Sequence, residues 1–179
     1  VNDLIEILRA MAAKKGEVEN PKELFLDMAD RVVKTAVNLF GAKPDEVAIL
    51  MLTSDEKHLR FVAPRKLAEL GTIPVTKRDS IAVTVLNRKT GDVNNNVPMV
   101  KHVAFFESVR LRESPAPIQK MITLPILHEG HAFGVAQISR KGDSLAAAGP
   151  DFTSADLRRA QELFTGVAAF LVEARPERF

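Results

Sequence analysis

"MITLPILHEGHAFGVAQISRK", residues 121–141, places an apolar run on each side of a His-Glu-Gly-His turn. With Glu129-Gly130 as a two-residue loop, His128 faces His131 and the strand pairing follows. One face then carries Ile122, Leu124, Ile126 and His128 beside Phe133, Val135 and Gln137. The other carries Met121, Thr123, Pro125 and Leu127 beside Ala132, Gly134, Ala136 and Ile138. Both faces are largely apolar, so both need cover, and the ribbon belongs in the middle of a sheet. Pro125, Gly134 and Ala136 form a low face that a helix or a ligand can approach closely.

Upstream of the ribbon, "EVAILMLT" (46–53) and "HLRFVAP" (58–64) alternate with a period of two around "SDEK", which reads as a first hairpin. Two helices precede it. Leu4, Ile5, Leu8, Met11 and Ala12 make a helical stripe that Gly16 closes. In the second, Asn20 caps, Pro21 starts the helix and Glu23 completes a capping-box pattern. Leu24, Phe25, Met28, Val32, Val33, Ala36 and Phe40 form its apolar face before Gly41.

"RDSIAVTVLNRKTGD" reads as strand by its β-branched residues, or as a short helix capped by Asp79 or Ser80 and stopping at Gly91. The helix is favoured. Residues 92–119, with three prolines and three consecutive asparagines, are expected to be irregular, with a short strand or two and a helical turn around 101–106.

Beyond the ribbon, "GDSLAAAGP" (142–150) is a flexible connector, and "DFTSADL" opens the last helix. Thr153 and Asp156 make a capping box there, and Phe152 and Leu157 a hydrophobic staple. Leu157, Ala160, Phe164, Val167, Ala168 and Leu171 run down one face. The expected divisions are a helical extension over 1–19, a domain over 20–174 and a tail over 175–179.

The 179 residues, 46% hydrophobic and 27% charged, suit one globular domain with a full core. No apolar run approaches the ~20 residues of a membrane span, so membrane insertion is not expected. Cysteine is absent, which removes disulfides, thiolate metal sites, cysteine nucleophiles and thioether-linked pigments, and fits the cytoplasm. The chain begins at Val1, which fits a piece of a longer protein. Net charge is +2 but uneven: residues 57–120 hold 12 Lys/Arg against 5 Asp/Glu, whereas residues 1–56 hold 7 against 11. The basic middle favours an anionic ligand. Its basic pairs are dispersed, and the chain has neither Tyr nor Trp, so no nucleic-acid partner is expected.

The stretches "NPKELFLDMADRVVKTAVNLFGAKPDEVAILML", "DSIAVTVLNRKTGD", "MITLPILHEGHAFGVAQISRK" and "DFTSADL", in this order, resemble a GAF domain, a small-molecule sensor module of signalling proteins. The resemblance implies an α+β fold: a central antiparallel sheet of five or six strands, N- and C-terminal helices on one face, and an irregular roof over a pocket on the other. In relatives that bind cyclic nucleotides, an Ile-Ala pair on the roof helix offers backbone amides, and Ile81-Ala82 occupies that place here. Those relatives also carry Asn-Lys after the central hairpin, then Phe and Asp-Glu. This chain has Ser139-Arg140 and Leu157 in place of Asn-Lys and Glu, and keeps Phe152 and Asp156. Bilin attachment and the GAF-fold methionine-sulfoxide reductases both use cysteine, so the resemblance implies neither.

The expected ligand-binding residues are Ser80, Ile81, Ala82, Thr84, Asn96, His102, Phe106, Ser108 and Arg110, with Asn87 beside them; each also reads as an ordinary turn or packing residue. His128, His131 and Glu129 could hold a metal only with further ligands, and paired polar residues at a turn are the simpler reading. His58 and His102 are isolated. No phosphate loop, nucleophile elbow or paired-carboxylate pattern appears, and no enzymatic activity is expected. Two functions remain: a sensory module that binds an unidentified small, anionic molecule and relays through the terminal helices to further signalling domains, or an interaction module with a vestigial pocket. The helix over 4–11 favours a homodimer through the terminal helices in either case.

Overall fold

The structure, a computed structural model, describes residues 1–100 and 116–179. Six strands form one antiparallel sheet in the order β3-β2-β1-β6-β5-β4. These are β1 (Val47–Leu52), β2 (His58–Ala63), β3 (Thr72–Pro74), β4 (Asp92–Asn94), β5 (Ile118–His128) and β6 (His131–Lys141). The ribbon over 121–141 is β5 and β6, with β1 and β4 bonded to its two outer edges. The sheet is six strands wide.

Two helices cover one face, α2 (Pro21–Phe40) and α4 (Ser154–Ala174), and α1 (Asn2–Ala13) packs on both of them. Phe25, Met28 and Val32 of α2 and Leu163, Phe164, Val167 and Leu171 of α4 form one cluster with Ile49, Ile122, Leu124 and Ile126, and Leu4 and Leu8 of α1 join it from the helix side. Each fully buried Leu or Phe contributes on the order of 1.5–3 kcal/mol. The sequence starts these helices as expected. Asn20 Oδ1 accepts the Glu23 N–H at 3.2 Å. Thr153 and Asp156 cap reciprocally, with Asp156 Oδ2 accepting the Thr153 N–H at 2.8 Å. These contacts hold the Asp156 carboxyl below its ordinary value, the Thr153 N–H contributing most.

Glu23 departs from the expected capping box. Its carboxylate pairs with Arg65, which also binds Asp27 and Asp30 of the same helix face, tying α2 to the chain leaving β2. Those three carboxylates hold the Arg65 guanidinium above its ordinary value, Glu23 foremost.

The expected pairing across the turn holds only near the loop. Glu129 and Gly130 both have positive φ, 49° and 77°, and His128 does face His131. One residue later the register shifts: Leu127 pairs with Ala132, but Ile126 pairs with Gly134, leaving Phe133 as the extra residue of a β-bulge. The pairs from Ile126–Gly134 to Lys120–Arg140 all move by one, and a second shift restores the original register at Ile118–Lys141. Ile122 and Leu124 therefore share their face with Ile138 and Ala136, not with Gln137 and Val135 as uniform pairing predicts. The bulge keeps both Phe133 and Gly134 toward the helices, and Gly134 is where β1 comes closest. A Cβ there would fall inside the Leu50 carbonyl oxygen and 2.9 Å from Met51 Sδ.

The second face carries Leu50, Leu52, Leu59, Phe61, Ala132 and Val135 under α3 (Ile81–Arg88). The expected helix thus spans Ile81–Arg88, with Ser80 as cap, and it ends at Lys89 in a left-handed conformation instead of running to Gly91. Gly91 serves packing: a Cβ there would lie 2.9 Å from Leu157 Cδ1 of α4 and 3.4 Å from Leu124 Cβ. The turn-rich region after it contains β4 and a short 3-10 turn, Val97–Met99, and β5 begins at Ile118, three residues before the quoted ribbon. The helical turn expected around 101–106 lies outside the described residues.

The last residues fold back. Arg175 donates to the Leu52 carbonyl at 2.9 Å and stacks on Phe133, and Phe179 packs edge-on against Phe25 at 5.4 Å.

Candidate functional site

On the second face, α3 follows β3 and precedes β4 in the chain and packs across β6 and β5. Ser80 starts it: the Ser80 hydroxyl oxygen accepts the Val83 N–H at 3.3 Å, and the residue is only 7% exposed. The amides of Ile81 and Ala82 then stand in the first turn, where a helix leaves N–H groups without intrahelical acceptors. That end favours negative charge by roughly 0.3–1 kcal/mol. Ala82 is buried, and Ile81 and Thr84 are half-buried. Asn87 is exposed on the last turn.

Ser80, Ile81, Ala82 and Thr84 are thus brought together on one short helix. Asn96 is not among them. It is exposed beyond β4, where its N–H donates to Asn94 Oδ1 at 2.8 Å. Its neighbour Asn95 has a structural task, exchanging two hydrogen bonds with the backbone of Phe152 at 2.8 and 2.9 Å. His102, Phe106, Ser108 and Arg110 lie outside the described residues.

The bulge creates a feature that uniform pairing missed. Alternation along β5 and β6 turns Thr123 and Gln137 to the second face, where they are cross-strand partners. Gln137 Nε2 donates to Thr123 Oγ1 at 3.4 Å, and Thr123 is 1% exposed. They bring a hydroxyl and an amide to the middle of this face, beside Asp92, which pairs with Thr123 from β4. Each keeps further hydrogen-bonding capacity. The sequence signal for this pair is Gly134, since an isolated glycine within a strand marks a bulge or a close backbone approach.

The histidines of the turn are differently placed. Both rings lie near Phe133, with centroids at 6.3 Å for His128 and 4.6 Å for His131. His131 Nε2 lies 3.2 Å from Glu56 in the β1–β2 turn. Among the described residues no three His, Asp or Glu side chains are grouped to hold a metal ion. His58 takes its place in the first hairpin through its backbone: its N–H donates to Thr53 Oγ1 at 3.2 Å.

A family model for the GAF domain matches residues 25–171. The chain belongs to the GAF domain family. Solved structures of similar fold include the GAF domain of a phosphoenolpyruvate-protein phosphotransferase from Coxiella burnetii, at 16% identity over 96% of this chain and 94% of that one, with a TM-score of 0.65. Another is a methyl-accepting chemotaxis protein segment, at 13% identity over 92% of this chain and 96% of that one, TM-score 0.64. A type II free methionine-R-sulfoxide reductase from Thermoplasma acidophilum matches at 16% identity over 86% and 96%, TM-score 0.60. Identities this low show the fold alone. No curated protein matches the chain. GAF domains occur in signalling proteins, a chemotaxis protein and a two-component sensor histidine kinase among them. No helix among the described residues is long and apolar enough to cross a membrane.

Proposed function

We propose that this GAF domain is the sensory or regulatory module of a cytoplasmic signalling protein. It takes up a small, anionic molecule on the second face of the sheet and relays its occupancy through the terminal helices to further signalling domains. The observation that carries this reading is the pair of buried Thr123 and half-buried Gln137 on the central strands, on the face that α3 crosses. A ligand there meets hydrogen-bonding groups from the floor and helix-start amides from Ile81 and Ala82, the Ser80 N–H being already bonded to the Lys77 carbonyl. Two packed contacts supply the relay: Gly91 after α3 abuts Leu157 of α4, and Arg175 after α4 rests on Phe133 of the bulge. The role we propose is regulatory, and the chain contains no cysteine for thiol chemistry.

A thermal-shift screen of cyclic nucleotides, nucleotides and small carboxylates tests this reading. A ligand at 100 times its Kd adds about 2.7 kcal/mol, which raises Tm by roughly 5–11 °C for a domain this size. Thr123→Val is expected to keep the fold and lose that rise. A stabilising compound whose effect survives Thr123→Val counts against the site, and a panel without any stabiliser counts against the function.

A homodimer through the terminal helices is favoured by α1, which leaves Val1 48% and Ile7 41% exposed at its outer side. Light scattering decides it: a chain that stays monomeric at high concentration removes the dimer.

A further inference from the structure

At the end of the sheet opposite the β5–β6 turn, a cleft of about 210 Å³ opens between the C-terminal end of α2, the end of β6 and the connector into α4. Its aromatic walls, Phe40 and Phe152, both pack on the helix-side cluster, so it is separate from the second face. Most of the charge around it is already engaged. The Lys120 ammonium, its side chain 6% exposed, donates to the Gly149 carbonyl at 2.6 Å and pairs with Asp151 at 2.7 Å, which holds the connector in place. The Glu46 carboxylate accepts the N–H groups of Lys43 and Lys141 at 2.7 and 2.8 Å, and Lys141 Nζ pairs with Asp45 at 2.8 Å.

Arg140 differs. Its guanidinium lies 4.5 Å over the Phe152 ring, and among the described residues it makes neither a hydrogen bond nor an ion pair. Asp156, near enough to feel that charge, is turned to the Thr153 N–H and hydroxyl at 2.8 Å. A guanidinium stacked on a ring keeps its in-plane N–H donors, and their fork matches a carboxylate. Lys43 adds a second positive charge to the lining.

We propose that this cleft binds a small carboxylate with a short aromatic or apolar body. The carboxylate pairs with Arg140, and the body lies against Phe40. The volume equals roughly seven waters at ~30 Å³ each, below the ~300 Å³ at which drug-sized pockets begin. A benzoate-sized acid matches this volume. Because this cleft involves none of the second-face residues, its failure and that of the sensory reading are distinguishable.

The test is a titration of the full chain with benzoate, acetate and inorganic phosphate at constant ionic strength, read from the Ala148 and Gly149 amide resonances. Benzoate is expected to give saturable shifts, acetate to bind more weakly, and Arg140→Gln to weaken benzoate about tenfold or more, the loss of a charge-assisted hydrogen bond. Thr123→Val is expected to leave the titration unchanged. Lys43→Glu, at an exposed position, provides a variant that keeps the Arg140–Phe152 stack, with benzoate weakened several-fold. Absence of saturation, indifference to Arg140→Gln or to Lys43→Glu, or phosphate binding as tightly as benzoate overturns the proposal.

Discussion

Replacing Gly134 by alanine adds one methyl group at the point where β6 meets β1. The new carbon would sit 3.1 Å from Met51 Cα and 2.9 Å from Met51 Sδ, and would overlap the Leu50 carbonyl oxygen. The sulfur can swing aside, but the oxygen belongs to a backbone whose residues 47–51 pair with 134–138 of β6. Relief therefore requires β1 to move away from the centre of the sheet. Overpacking of this kind costs about 1–3 kcal/mol, and loosening one or two ladder hydrogen bonds adds about 1 kcal/mol each. The expected total of about 3–4 kcal/mol corresponds to a Tm lowered by roughly 6–16 °C. Two controls isolate the cause. Gly130→Ala meets no atom within 4 Å but has φ of +77°, so it costs only the left-handed penalty of about 1–2 kcal/mol. Gly16→Ala meets neither obstacle and is expected to be near neutral. Urea and thermal unfolding of the three variants give the comparison. A Gly134→Ala protein as stable as Gly16→Ala would refute both the bulge and the register that depends on it.

Two further outcomes follow from charge. Asp156 has its folded pKa held below its ordinary value of 3.8, so its contribution is complete above that pH and is lost as pH falls through the lowered folded value. Asp156→Asn is expected to cost about 0.5–1 kcal/mol at pH 7, a difference that closes in acid melts taken below pH 4. Arg65→Ala leaves Glu23, Asp27 and Asp30 facing one another without their cation. Because all four side chains are more than a third exposed, the loss is expected to be about 1 kcal/mol and to shrink in high salt, as denaturant midpoints at two ionic strengths will report.

What was legible in the sequence is what is decided locally. Asn20 and Thr153 announce helix starts because a cap bonds within three residues, and Glu129-Gly130 fixes the turn because only left-handed conformations close it. Gly134 marked a bulge or close approach in this strand, but which register resulted was not legible, since that depends on Gly134 meeting a carbonyl more than eighty residues away. That one shift exchanged the partners over most of the ribbon and hid the Thr123–Gln137 pair. Gly91 resembled a helix stop and is instead a contact point for Leu157 and Leu124. Glu23 fitted a capping box until Arg65 offered a stronger partner from another element. Strand β3 is three residues long and ends at Pro74, too short to show a period. Of the expected site, the Ser80 cap was legible because it is local. Which residues face it across the sheet was not.

The most direct test of the second-face site is native mass spectrometry of the protein purified without denaturation from its own cells. A mass above the 19.7 kDa chain by one small molecule, absent from Thr123→Val prepared in parallel, is the predicted result. An excess mass that Thr123→Val retains would contradict it.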